Sequence, residues 1–221
     1  MSKKFTKFLV PFFVTVLFLT GTNIIKEHQS FLFAEKEISI NDSVKIITDS
    51  NCSLTEALSG INIPSSILKS LTIVTVYYYS FDGRLHKGQI VINKNLADDV
   101  KEIFNKIKEK KFPIEKVIPI YKYNWDDKAS MKDNNTSAFN YRKVKGTKIL
   151  SRHATGRAID INPKLNPQIK NGLTVPKGSF YNKRIPGTIS DTSFIVRAFL
   201  SKGWRWGGKW KHLKDYQHFE K

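Results

Sequence analysis

Cysteine is nearly absent: the 221 residues contain one, Cys52. A single cysteine can form no internal disulfide and no cysteine-rich structural zinc site. Cys52 therefore reads as a small buried or loop residue. Acidic side chains are scarce beside basic ones, 19 against 37, which leaves a formal net charge of +18. An excess of that size speaks to partners and not to fold. No nucleic-acid-binding motif is present and the lysines are scattered rather than blocked, so nucleic acid is not expected as a partner. Attraction to an anionic cell wall or membrane surface fits better. Internal repeats are lacking, as is any break that would mark a second folded domain. Long apolar runs are lacking too. The single run, Phe8 to Leu19, is interrupted by Pro11 and Thr15, and is short of the ~20 residues a stable membrane span needs.

What is present is an ordinary globular mixture, 40% hydrophobic and 25% charged, in a chain long enough for one domain with a real core. The start, Met1-Ser2-Lys3-Lys4 followed by the apolar run, has the build of a secretory signal. Phe31-Leu32-Phe33-Ala34 offers no clean small-x-small cleavage site, so a retained anchor stays an alternative. Residues 1–34 are thus expected to be a signal peptide or N-terminal membrane anchor, 35–65 a tether, and 66–221 the functional domain, a monomer. The protein is expected to be exported, extracellular or associated with a cell wall, with residues 8–21 as the membrane anchor if one is retained. An exported chain without disulfides points to a bacterium.

Within the domain, Leu71 to Tyr79 is rich in β-branched and aromatic residues and predicts a strand. Asp82-Gly83 predicts a turn, and Gln89 to Asn93 a second, paired strand. Asn95 is the expected cap of a helix from Leu96 to about Lys111, with Leu96, Val100, Ile103, Phe104 and Ile107 on its apolar face. Val117 to Tyr121 predicts another strand, and Asn124 to Ala138 a long polar loop. A helix is expected near Ser190 to Lys202, capped by Ser190 or Asp191. The Trp/Gly-rich stretch Gly203 to Trp210 reads as a turn in which Trp204, Trp206 and Trp210 serve as core and cleft wall together.

Two blocks carry chemistry. A hydrolytic zinc site uses three protein ligands and leaves one position for water, with a carboxylate nearby to take the proton. The first block runs from Ser151 to Asp160 (SRHATGRAID). Gly156 can turn the chain between His153 and Asp160, and Ala158 to Ile161 reads as a strand. Gly156 and Ala158 leave room for a metal and for close backbone packing. The second block is Asp215-Tyr216-Gln217-His218-Phe219-Glu220. Read as a helical turn, it sets Asp215 and His218 on one side, His218 as ligand and Asp215 beside the water. Glu220 is the alternative base. His28, His86 and His212 read as surface or internally satisfied histidines.

The first block, S-x-H-x-x-G-x-A-x-D, resembles the VanY-like zinc metallopeptidases, the group of D-alanyl-D-alanine carboxypeptidases and dipeptidases. The ending G-W-x-W-G-G-x-W with D-x-x-H-F-E is similar to the branch that includes L-alanyl-D-glutamate endopeptidases. The likeness takes in Phe139-Asn140-Tyr141-Arg142 and extends over roughly Leu71 to the C-terminus. It implies one Zn2+ held by His153, Asp160 and His218, with Asp215 as general base where several relatives use Glu. It implies that Arg142 binds the substrate carbonyl or carboxylate, and that Ser151 bonds near the metal or substrate. The implied substrate is a peptidoglycan stem peptide, cut by a carboxypeptidase or an endopeptidase. An inactive cell-wall-binding protein of the same fold is the alternative. The implied fold is α+β and hedgehog/DD-peptidase-like, a small antiparallel sheet flanked by helices.

Overall fold

The computed structural model describes residues 45–221, so the expected leader at 1–34 and the first part of the expected tether lie outside the described residues. The chain runs through β1 (Ile47–Thr48), α1 (Leu54–Ala57), α2 (Ser65–Ser70), β2 (Leu71–Tyr79), β3 (Leu85–Asn93), α3 (Ala97–Glu109) and β4 (Lys116–Val117). It continues through α4 (Asp127–Lys132), β5 (Asn135–Thr136), β6 (Ala158–Asp160), β7 (Gln168–Lys170) and β8 (Leu173–Val175). α5 (Phe194–Leu200), β9 (Arg205–Trp206), β10 (Lys214–Asp215) and β11 (His218–Glu220) complete it. Helices and small sheets mix as expected. The sheets are not purely antiparallel, however: β1 joins β3, and β4 joins β5, in parallel.

The scaffold is the β2–β3 hairpin, nine residue pairs in unbroken register from Leu71↔Asn93 to Tyr79↔Leu85. Both strands are rich in branched and aromatic side chains, which fit a pleated surface. One face of the hairpin presents Val74, Val76, Tyr78, Ile90 and Ile92 to the main core. α3 lies across it, with Val100, Ile103, Phe104 and Ile107 at the helical spacing and all buried. Burying each such side chain contributes roughly 1.5–3 kcal/mol. Leu71, Val91 and Phe139 belong to a second apolar cluster with Ala57 and Leu58.

Several expectations change here. Residues 45–65, within the stretch read as tether, are part of the folded unit: β1 extends the main sheet and Ala57 is 1% exposed. The cap of the long helix is not Asn95. Asn93 accepts from the Asn95 amide, a 3₁₀ turn Lys94–Leu96 follows, and α3 begins at Ala97. The strand expected at Val117 to Tyr121 stops at Val117. Pro119 lacks an N–H for a ladder, and the chain enters a 3₁₀ turn at Ile120–Tyr123. The expected loop 124–138 holds α4, capped by Asp126, and β5. The helix expected from Ser190 is only α5, because Ser190 to Ser193 close a separate turn through their own hydrogen bonds.

The second half of the domain is built from shorter pieces. β6, β11 and β9 form one antiparallel sheet, and β7 pairs with β10 and β8 in another. Ile159, Ile161 and Phe219 are fully buried in the main core with Trp204 and Trp206. Strand alternation then turns Asp160 and His218, neighbours of Ile159 and Phe219, to the opposite face.

Candidate metal centre

His218 stands directly opposite Asp160 in the β11–β6 pairing, so the two side chains share one face at close range. His153 comes from a 3₁₀ turn, Arg152–Thr155, that ends at Gly156 in a left-handed conformation, φ 64°. A Cβ at Gly156 would fall 2.7 Å from both the Asn93 amide nitrogen and Leu71 Cδ2. The room glycine leaves is therefore filled by the main hairpin, not by a metal. It fixes the turn against the scaffold so that His153 meets the β6–β11 edge. Ser151 caps this turn, accepting from the His153 amide at 3.3 Å, and so acts on the backbone of His153.

The nitrogen roles follow from the partners. The Ala138 carbonyl oxygen, 2.5 Å from His153 Nδ1, can only accept. Nδ1 therefore carries the proton and Nε2 presents a lone pair. His218 Nε2 lies 3.2 Å from Glu220 Oε2 and donates to it, leaving Nδ1 as the lone-pair atom. The two lone-pair atoms are 3.2 Å apart. His153 Nε2 is 3.3 Å from Asp160 Oδ2, and His218 Nδ1 is 2.9 Å from Asp160 Oδ1. Three electron-pair donors thus converge within 4.8 Å of one another, all buried. Such an arrangement calls for a cation between them, and His153, Asp160 and His218 can hold a metal ion. Two imidazoles and one carboxylate, with no thiolate, are a donor set suited to zinc with an open position.

Where no metal is bound, a proton on His218 Nδ1 takes the place of the cation. Burial works against charge on His218, but hydrogen bonds to Asp160 and Glu220 outweigh it and raise its pKa to about 10. Burial likewise opposes charge on Asp160, and the two histidines overcome it, holding the carboxyl far below its usual range. A metal ion replaces the protons at the same lone pairs. Glu220, weighed from the sequence as an alternative base, instead orients His218 and also pairs with Arg205 at 2.6 Å.

Asp215 is buried beside these groups. Burial and the Asp160 charge push its carboxyl up to about 6. Its Oδ2 accepts from Gln168 Nε2 at 2.8 Å, and its Oδ1 has no hydrogen-bond partner. Asp215 and His218 are not on a helical turn as their spacing suggested. They end β10 and begin β11, with Tyr216-Gln217 between. Gly207 makes room for this crossing, since a Cβ there would lie 2.6 Å from the Asp215 carbonyl oxygen.

Arg142 pairs with Asp127 of α4, at 3.1 Å, and its Nε is buried without a partner. Its backbone carbonyl accepts from the Ser151 amide at 3.0 Å, one rung from the metal turn. Trp204 and Trp206 are core, whereas Trp210 is half-buried with its ring 5.3 Å from His218, at the wall of the site. His212 is exposed, and His86 is satisfied between Asp49 and Asp82. The sequence reading missed Gln168, which bonds Asp215 only because β7 pairs with β10 in the register Gln168↔Asp215. It also missed the Ala138 carbonyl, for which no side-chain signal exists.

Fold and site together define a mixed α/β domain with a buried two-histidine, one-carboxylate centre beside an unsatisfied aspartate. Residues 145–221 match the model of a peptidase family described as D-alanyl-D-alanine carboxypeptidase, which is the resemblance read from the two blocks. The match includes His153, Asp160, Asp215 and His218, and leaves Arg142 and the hairpin scaffold outside it. Comparison with curated proteins and with solved structures gave no match.

Proposed function

We propose that this protein is a zinc peptidase that removes the terminal alanine from peptidoglycan stem peptides ending in D-Ala-D-Ala. The observation that carries the reading is the pairing of the convergent His153–Asp160–His218 donors with the partnerless Oδ1 of Asp215. Zinc in that donor set supplies Lewis acidity toward water and toward the scissile carbonyl. Asp215 Oδ1 takes the proton of the attacking water and later returns it to the leaving amine, while Gln168 keeps Oδ2 fixed. Burial, which favours the neutral form of this carboxyl, suits a group that must take up a proton and give it back. Arg142, steadied by Asp127, binds the substrate carbonyl or terminal carboxylate. The basic start and the apolar run 8–19 support export to the wall polymer.

The test is a digest of purified muropeptides by the full chain, read by mass spectrometry. Loss of one alanine is expected. A freed D-Glu amino end would instead assign the cut to an endopeptidase. Asp215→Asn should lower kcat by roughly 10²–10⁴-fold while zinc content stays unchanged. No mass change with zinc-loaded protein would leave a wall-binding role in place of the enzyme.

A further inference from the structure

The charge of this chain is unevenly placed. Residues 45–133 hold 14 Lys/Arg against 11 Asp/Glu, whereas residues 134–221 hold 18 against four. Of those four acids, Asp160, Asp215 and Glu220 belong to the metal centre, and the fourth, Asp191, pairs with Lys183. The segment 161–190 has five Lys/Arg and no Asp or Glu.

Between Ile161 and Ile189, which are buried in the core, this acid-free segment exposes several apolar side chains. Leu173 is 75% exposed and Phe180 73%, the two highest values among the large hydrophobics described, and Val175 and Ile185 are exposed as well. They sit beside two turns, Asn171–Gly172 and Lys177–Gly178, where even an added Cβ would meet nothing within 4 Å. Lys170 and Lys177 are exposed and make no ion pair among the described residues. The base of the segment is fixed. β7 pairs with β10, and the Tyr181 ring stacks on Tyr216 with centroids 3.7 Å apart. The turn at 143–150 repeats the composition, with Ile149 70% exposed among Lys143, Lys145 and Lys148.

We propose that the 170–185 segment docks on an anionic bilayer surface, with Leu173 and Phe180 entering the headgroup–acyl boundary and Lys170 and Lys177 at the lipid phosphates. A dissolved polyanion would satisfy the lysines and leave Leu173 and Phe180 in water. A bilayer with anionic headgroups satisfies both. Docking by this segment, whose base pairs with β10, sets the metal centre, one strand away through Gln168 and Asp215, close to the membrane. The inference is independent of which peptide bond the site cuts.

The test uses the full chain in a Cys52→Ser background, with Leu173→Cys or Phe180→Cys carrying an environment-sensitive fluorophore and Lys94→Cys as control. The probe reports insertion at its own position, whatever the N-terminal apolar run does. Blue shift and quenching by lipid-embedded quencher are expected at 173 and 180, and not at 94, on phosphatidylglycerol vesicles. Neutral phosphatidylcholine vesicles and soluble polyphosphate should give no shift. Lys170→Glu with Lys177→Glu should raise the lipid concentration for half-maximal shift by roughly tenfold or more. Silence at both positions while the chain co-sediments with vesicles overturns the proposal. So does an equal shift on neutral vesicles, a shift with polyphosphate alone, or indifference to the double charge reversal.

Discussion

The first half of the described chain and the second are built on different principles. Residues 45–133 carry the nine-residue strands β2 and β3 and the 13-residue helix α3, regular elements closed by backbone hydrogen bonds and apolar packing. Residues 134–221 contain no strand longer than three residues, and their positions are fixed largely by single contacts: Gly156 against Asn93, Gly207 against Asp215, and Gln168 to Asp215. The regular half supplies stability. The irregular half, whose short strands end at turns, carries the buried donors and the unpartnered carboxylate oxygen of the site.

Substitutions that separate the two halves test this division. Phe104→Ala empties a 1%-exposed position in the regular half and should cost about 3–5 kcal/mol in chemical denaturation. The zinc affinity of the molecules that stay folded should be unchanged. Glu220→Gln should reverse that pattern: global stability of the metal-free chain changes little, and zinc affinity falls by roughly 10–100-fold, because His218 loses its orienting carboxylate. Gly156→Ala joins the halves. With φ at 64° and Cβ 2.7 Å from the Asn93 nitrogen, it should destabilise by about 1–3 kcal/mol and weaken zinc binding at once. Equal effects of all three on stability and metal affinity would abolish the distinction.

The smallest effect concerns the tie between α3 and the C-terminal strand. Burial alone would raise the Asp99 carboxyl, but Lys221 Nζ at 2.8 Å and Trp204 Nε1 at 3.0 Å outweigh it and lower its pKa. A carboxyl depressed by folding stabilises above its unfolded pKa, near 3.9, and loses that contribution as pH falls through the folded value. The group is partly exposed, so about 1 kcal/mol or less is at stake. Acid titration of stability below about pH 4 should show an increment in the wild type that Asp99→Asn lacks.

The same contrast decides what the sequence disclosed. β2 was legible to the residue, and α3 to within a turn, because repeated apolar spacing over nine or 13 residues averages out local exceptions. The helix cap failed, since a 3₁₀ turn intervened, and the second strand, expected from Gln89, begins at Leu85. The site residues were legible as types in a motif but not as geometry. The three-residue step from Asp215 to His218 has the same spacing in a helical turn as across two short strands, and only the pairings to Gln168 and Asp160 resolve it. Pro119 was a visible signal against the long strand at 117–121. Asp126, the cap of α4 within the supposed loop, was another. Packing of 45–65 rests on isolated residues such as Ala57 and Leu58, too few to set a period.

In the proposed function, three side chains drawn from a 3₁₀ turn and two paired strands hold one catalytic zinc. Metal analysis of the full chain, alongside His218→Ala, tests it most directly. One zinc per chain in the wild type, and loss of it in the variant with the cooperative unfolding transition retained, is the predicted result. A wild-type chain that binds no zinc, or a variant that binds it equally well, would contradict the account.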